Sequence, residues 1–400
     1  MNSLKNKGIF QILIALFCVY CVAICQFKVS ASTALLMVCF DINNYEVGLL
    51  TSATSIAGLI LAIPVGALVA KCGFRLIGLV ALCACALGSC LGLFTNTFEV
   101  LLLSRILEGI AIGSMFTVVP SLIAIVASGK TRTFFMSVFA CYVGVGQIIV
   151  FVTTNLIVDL DCPESYKNLW LLSSVLLLIC VVLWFVFIKT PKSTSVSDDS
   201  SLKIRKFYKY PSLWIIALIM FCYLSIYKGE TTYTMTYIYS IGLDLISSNA
   251  LSTIRACVSI VASIITGFII ASFSVKKLHI AAIVVAFLNF IAIFSVWSYT
   301  TENMAIVSLA IVGIIDSASL AIFTSLSPYL LKDIKMVGIT NGFITIGKNL
   351  AVFSVAYISG DTIDLYGFDA LTLLYFGFGV IALVLTILLY VFYKRTKLLN

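Results

Sequence analysis

Residues 47–75 read VGLLTSATSIAGLILAIPVGALVAKCGFR, and the way this stretch ends decides the fold. Its first part is apolar and long enough to cross a bilayer, which takes about 20 residues of helix. Within a few positions it then turns basic and glycine-rich at Gly66, Lys71, Gly73 and Arg75. A further apolar run begins at residue 76. Lys and Arg are retained on the cytoplasmic side of a membrane, so a tight basic turn between two apolar runs predicts a cytoplasmic connection between two transmembrane helices.

The rest of the chain repeats that pattern. Of 400 residues, 62% are hydrophobic and 10% charged, against roughly a quarter charged in a soluble domain. Twelve apolar segments are expected: about 9–38, 46–70, 76–95, 100–123, 134–158, 168–188, 212–239, 247–272, 278–298, 303–327, 337–359 and 370–393. They are called spans 1 to 12 below. The breaks between them alternate in charge. Nineteen of the 25 Lys and Arg fall on one side and only Lys167 on the other, which carries Asp41, Glu46, Glu99, Asp159, Asp161, Glu164, Asp244, Glu302, Asp361, Asp364 and Asp369. That asymmetry predicts a multi-pass protein of the cytoplasmic membrane with both termini in the cytoplasm. It also explains the net charge of +8 without a nucleic-acid partner.

Thirteen cysteines suggest a disulfide scaffold only in a short secreted chain. Here almost all fall inside spans, Cys18, Cys21, Cys83, Cys85 and Cys90 among them, where cysteine is a small packing residue. Cys162 lies in an expected external loop. The first span has no small-residue cleavage site and reads as a retained helix.

The segment 189–210 contains KSTSVSDDSSLK between Pro191 and Pro211, a composition suited to a flexible linker. It separates a six-span half, 1–188, from a second, 211–400. The halves echo one another. At an offset of 201 residues Gly66 and Arg75 meet Gly267 and Lys276, and Gly146-Gln147 meets Gly347-Lys348. Lys28 meets Lys228 at an offset of 200.

The pattern Gly-x-x-x-[acid]-basic-x-Gly-x-basic between two spans, met here at Gly66, Lys71, Gly73 and Arg75, resembles the loop between helices 2 and 3 of the major facilitator superfamily of secondary transporters. This chain carries Ala70 where the family has its acid. Span 4, with Arg105 followed by Gly109 and Gly113, is similar to the family's fourth helix. The resemblance implies an all-α membrane protein of twelve transmembrane helices in two pseudo-symmetric six-helix halves. It implies a transporter working by alternating access rather than an enzyme, with Gly66, Lys71, Gly73, Arg75, Gly267 and Lys276 at its gating loops.

Eight ionisable residues remain inside the spans: Lys28, Arg105, Glu108, Lys228, Glu230, Arg255, Asp316 and Lys348. Each costs at least about 2.5 kcal/mol at a helix centre, so each is expected to face protein or water. Internal pairing is one reading: Arg105 with Glu108, Arg255 with Glu230, Asp316 with Lys348. The other starts from the count. Five cations against three acids leave a surplus that an anionic substrate would neutralise. On that reading Lys28, Lys228, Lys348, Gln147, Arg255 and Arg105 line a path for a small organic anion, a carboxylate. Glu230 and Asp316 carry a coupling proton, because burial disfavours and a nearby cation favours the charged carboxylate.

Paired cations on spans 8 and 11 are similar to those of oxalate–formate exchangers within the superfamily, and a span-1 lysine to its monocarboxylate carriers. The expectation is an organic-anion carrier, by proton symport or exchange, acting as a monomer in the bilayer. Two alternatives stand beside it: efflux of lipophilic or cationic drugs, and a non-transporting membrane sensor. No cofactor motif, metal-ligand cluster or nucleophile constellation appears in any polar segment. The Gly109–Gly113 pair reads as close helix packing rather than a phosphate cradle.

Overall fold

A computed structural model describes residues 2–398 apart from 128–130, 132–133, 136–137, 140, 160–161, 190–209, 244, 327–328 and 331–336. Among the described residues every regular element is helical. The helices are α1 (Asn2–Ala31), α2 (Thr33–Phe40), α3 (Asn44–Phe94), α4 (Phe98–Val126), α5 (Tyr142–Ile157), α6 (Tyr166–Phe187), α7 (Pro211–Ser240), α8 (Leu245–Ala271), α9 (Val275–Val296), α10 (Glu302–Ser325) and α11 (Val337–Leu398), with a single 3₁₀ turn at Pro163–Ser165. Nine helices within the described residues are long and apolar enough to cross a membrane.

Two of these helices are too long for one crossing. α3 has 51 residues and α11 has 62, about 75 and 93 Å if straight at 1.5 Å per residue, against an apolar bilayer thickness of about 30 Å. Each is broken by one glycine. Gly73 has φ 78° and ψ 154°, and Gly367 has φ 80° and ψ −177°. That region of backbone space is open essentially only to glycine. Gly73 therefore separates spans 2 and 3, and Gly367 separates spans 11 and 12. The nine thus become eleven spans, and the shorter apolar helix α5, of 16 residues, supplies the twelfth.

One boundary differs from the sequence reading. Span 1 is two helices, because the helix stops after Ala31. Ser32 Oγ donates to the Lys28 carbonyl at 2.8 Å and Thr33 Oγ1 to the Val29 carbonyl at 3.0 Å. Hydroxyls bonded to main-chain carbonyls in this way bend helices. Span 2 then starts in a capping box: Asn43 Oδ1 accepts from the Glu46 amide at 2.9 Å, and Glu46 Oε2 accepts from the Asn43 amide at 3.0 Å.

The chain divides into two compact units, Met1–Val196 and Ser197–Asn400. The linker expected over 189–210 lies outside the described residues except at its two ends. In the first unit α3 packs on α4 and α6, while α1 packs on α4, α5 and α6. In the second, α7 packs on α11, α8 on α10, and α9 on α10 and α11.

The repeat is built into these interfaces. A Cβ on Gly113 would sit 2.5 Å from the Gly58 Cα, between spans 4 and 2. One on Gly313 would sit 2.9 Å from Ser259 Oγ and 3.0 Å from the Arg255 carbonyl, between spans 10 and 8. Gly58 and Gly113 are the positional counterparts of Ser259 and Gly313. Gly146 likewise lies against Ala23 of span 1, and Gly347 against Ala217 of span 7. The packing role expected for Gly109 and Gly113 holds: Gly109 meets the Thr54 backbone.

Candidate functional site

Six of the eight intramembrane charges form two clusters, one in each unit, and the two are built differently. In the first unit α1 supplies Lys28, α4 supplies Arg105 and Glu108 one turn apart, and α3 supplies Ser89 from its second half. Glu108 is the hub. Its Oε1 accepts from Lys28 Nζ at 2.5 Å and from Ser89 Oγ at 2.5 Å, and its Oε2 accepts from Arg105 Nη1. Lys28 Nζ also donates to Ser89 Oγ at 3.2 Å and stands 4.3 Å from the centre of the Trp170 ring.

Arg105 is tied into the backbone as well. Its Nη1 donates to the Cys25 carbonyl of span 1 at 2.9 Å and its Nε to the Leu50 carbonyl of span 2 at 3.4 Å. Lys28, Arg105, Glu108 and Ser89 are all fully buried, at 0% exposure. Two cations share one carboxylate, with main-chain carbonyls and an aromatic face taking up part of the excess.

The second unit inverts that ratio. Arg255 of α8 places Nη2 2.9 Å from Glu230 Oε2 on α7 and 2.5 Å from Asp316 Oδ2 on α10. One guanidinium thus serves two buried carboxylates. Its Cζ lies 5.4 Å from the centre of the Tyr227 ring, and the Tyr223 hydroxyl donates to the Asp316 backbone carbonyl. Lys228, two residues before Glu230, is buried on α7. Lys348 is half-buried on α11 and makes no ion pair among the described residues. Gln147 is buried on α5 in the first unit.

Of the pairings weighed from the sequence, Arg105–Glu108 and Arg255–Glu230 form. Asp316–Lys348 does not: Asp316 meets Arg255 instead. Lys28 also joins Glu108, a contact between spans 1 and 4 that no spacing in the sequence announces. Ser89, Trp170 and Tyr223 complete the clusters, and sequence reading singled out none of them. Each is reached only through a neighbouring helix, so periodicity carries no signal for it.

The positions expected at the gating loops lie on α3, α8 and α9. Gly73 forms the turn. Arg75 just beyond it donates from Nη2 to the Phe185 carbonyl at 2.9 Å, while Trp184 Nε1 donates to the Arg75 carbonyl at 2.9 Å. This reciprocal pair pins the start of span 3 to the end of span 6, where the unpaired carbonyls of α6 favour a cation. Gly66 and Lys71 lie on α3, with the Lys71 side chain outside the described part. Gly267 lies on α8 facing open space, and Lys276 is exposed on the first turn of α9.

A helical bundle of this kind, with charge inside its spans and six spans to a unit, matches one family model, the Major Facilitator Superfamily, over residues 13–355. The chain belongs to the Major Facilitator Superfamily. Its fold is therefore a transporter fold. Solved structures similar to it cover nearly its whole length. A D-xylose–proton symporter has a TM-score of 0.74 at 14% identity, over 95% of this chain and 97% of that one. A bacterial homologue of the human lysosomal transporter Spinster, inward-facing and unoccupied, has a TM-score of 0.74 at 14% identity, over 98% of each chain. The nucleoside transporter NupG has a TM-score of 0.75 at 15% identity, over 96% and 98%. At these identities the likeness is one of fold. Among curated protein sequences none matches.

Proposed function

We propose that this superfamily member carries a small organic anion across the cytoplasmic membrane by alternating access, coupled to a proton or by exchange. The observation that carries the reading is Lys348: a half-buried cation within span 11 that makes no ion pair among the described residues. A charge held in a membrane interior without a counter-charge is expensive. A substrate carboxylate on the ammonium group removes that cost and is held by charge-assisted hydrogen bonds. Lys228, buried on span 7 of the same unit, is on this reading a second contact for the substrate. Lys28 and Arg105, both held by Glu108, act on this reading as the fixed wall of the first half.

The coupling proton belongs to the other cluster. Glu230 and Asp316 share Arg255, so neutralising one of them leaves a balanced pair with the other. A proton arriving there changes which carboxylate the guanidinium holds, and so which of spans 7 and 10 it ties to span 8. Both termini and the basic loops face the cytoplasm, the orientation set by the Lys and Arg asymmetry. The protein works as a monomer.

The test is uptake of a panel of labelled carboxylates into proteoliposomes with and without a pH gradient. Lys348→Gln abolishes anion uptake while the variant remains folded. Asp316→Asn and Glu230→Gln abolish the response to the pH gradient while counterflow of the anion persists. Full uptake by Lys348→Gln removes the anion from the reading. Resistance of cells to lipophilic cations, with no carboxylate uptake, would assign the protein to drug efflux instead.

A further inference from the structure

At one end of the second unit, an aromatic stack joins two helices far apart in sequence. The His279 ring on the second turn of α9 lies parallel to the Tyr393 ring near the end of α11, with centroids 4.4 Å apart and planes at 17°. Tyr390 stands 6.1 Å from the same imidazole. His279 is buried, and its Nδ1 donates to the Val275 carbonyl at 2.9 Å, which fixes the ring. A carbonyl can only accept, so this nitrogen carries the proton.

The stack brings three exposed lysines to the same end. Lys276 lies one turn before His279, Lys277 follows it, and Lys394 is adjacent to Tyr393; all three are exposed. Neither helix end carries a carboxylate: α9 has none in VKKLHIAAIVVAFLNFIAIFSV, and the last turns of α11 read LLYVFYKRTKL. The positive end of the α9 dipole points to the same place. Beside the lysines the surface changes character. Ile280, one turn beyond Lys276 and Lys277, is 43% exposed, and Val391, one turn before Lys394, is 40% exposed, so on each helix an exposed aliphatic side chain lies one turn further into the span than the lysines.

We propose that this end of α9 and α11 is a binding site for the headgroup of an anionic phospholipid, its phosphate on Lys276, Lys277 and Lys394 and its acyl chains along the flank of Ile280 and Val391. Retention of cations on cytoplasmic loops explains why lysines occur there. It does not explain why exposed lysines of two spans distant in sequence stand at the same end of one aromatic stack, with exposed aliphatic side chains one turn further in. That pairing of cation and hydrocarbon is the complement of a lipid at the interface. Tyr393 acts as the positioning residue that holds the α11 lysine beside the α9 pair.

The test is lipid retention by the full-length purified protein in native mass spectrometry, with thermal stability in detergent as a second readout. Phosphatidylglycerol is compared with phosphatidylcholine, and with inorganic phosphate and glycerol phosphate as controls that lack acyl chains. Wild type is expected to retain phosphatidylglycerol over phosphatidylcholine and to gain melting temperature from it, with no gain from either soluble phosphate. K276Q/K277Q/K394Q is expected to lose on the order of a hundredfold in affinity for phosphatidylglycerol. The single variants K394Q and Y393A are expected to lose several-fold, and K189Q, an exposed lysine elsewhere in the chain, to lose nothing. Equal retention by the triple variant and wild type overturns the site. So does equal retention of both lipids, or a stabilisation that inorganic phosphate reproduces.

Discussion

Glu108 is the residue whose loss the first unit is least able to absorb. Converting it to Gln leaves Lys28 and Arg105 buried at 0% exposure with no carboxylate between them, and removing one partner from a buried ionic group costs about 3–5 kcal/mol. Lys28→Met is the milder change, because it leaves Arg105 and Glu108 as a balanced pair and fills the space beside Trp170 with hydrocarbon. Thermal unfolding in detergent is expected to place Glu108→Gln well below Lys28→Met, and Lys28→Met close to wild type. The reverse order would mean that Lys28, not Glu108, anchors the cluster. Part of this was legible in the sequence. Arg105 and Glu108 are three residues apart on an apolar helix, so their pairing follows from helical spacing. The Lys28–Glu108 and Arg255–Asp316 contacts were not legible, since they depend on which spans are neighbours, and spacing along one span says nothing of the next. The surplus of cations was countable from the start, but its distribution was not: two cations on one acid in the first unit, one cation on two acids in the second.

At the scale of elements, the helix contacts rest on a few backbone approaches that a side chain would prop open. A methyl group on Gly113 would meet the Gly58 Cα at 2.5 Å, a backbone atom that cannot rotate away. Gly113→Ala is therefore expected to lose roughly 1–3 kcal/mol, the usual cost of overpacking. Gly267→Ala is the control. It meets nothing within 4 Å and replaces glycine with a better helix former, so it should leave melting temperature unchanged or raise it. Comparing the two melting curves checks the interface directly. The breaks between spans differ in how readable they were. Gly73 announced itself, because a glycine flanked by basic residues after an apolar run can only be a turn. The end of α1 at Ala31 did not. There the hydroxyls of Ser32 and Thr33 return to carbonyls of the last turn of α1, and scattered hydroxyl residues in a long span do not by themselves mark a break.

For the molecule as a whole, the charge asymmetry sets which ends of the spans face which side, and two exposed cysteines make that statement measurable. Cys72 and Cys162 are both exposed. Cys72 stands beside Gly73 at the basic turn between spans 2 and 3, and Cys162 in the acidic connection before the 3₁₀ turn at Pro163–Ser165. The positive-inside rule assigns these two connections to opposite faces. A membrane-impermeant maleimide should therefore label Cys162 in intact cells and Cys72 only after permeabilisation, each read in a variant that keeps one of the two. The other exposed thiol, Cys257, lies inside α8 within an apolar span, out of reach of a reagent confined to water. It should stay unlabelled in both conditions and so serve as the internal reference. Labelling of Cys72 in intact cells would invert the protein in the membrane. The fold and both charge clusters would be untouched by that result, because they depend on contacts within each unit. The direction in which Lys348 and the Glu230–Arg255–Asp316 group meet substrate and proton would be reversed.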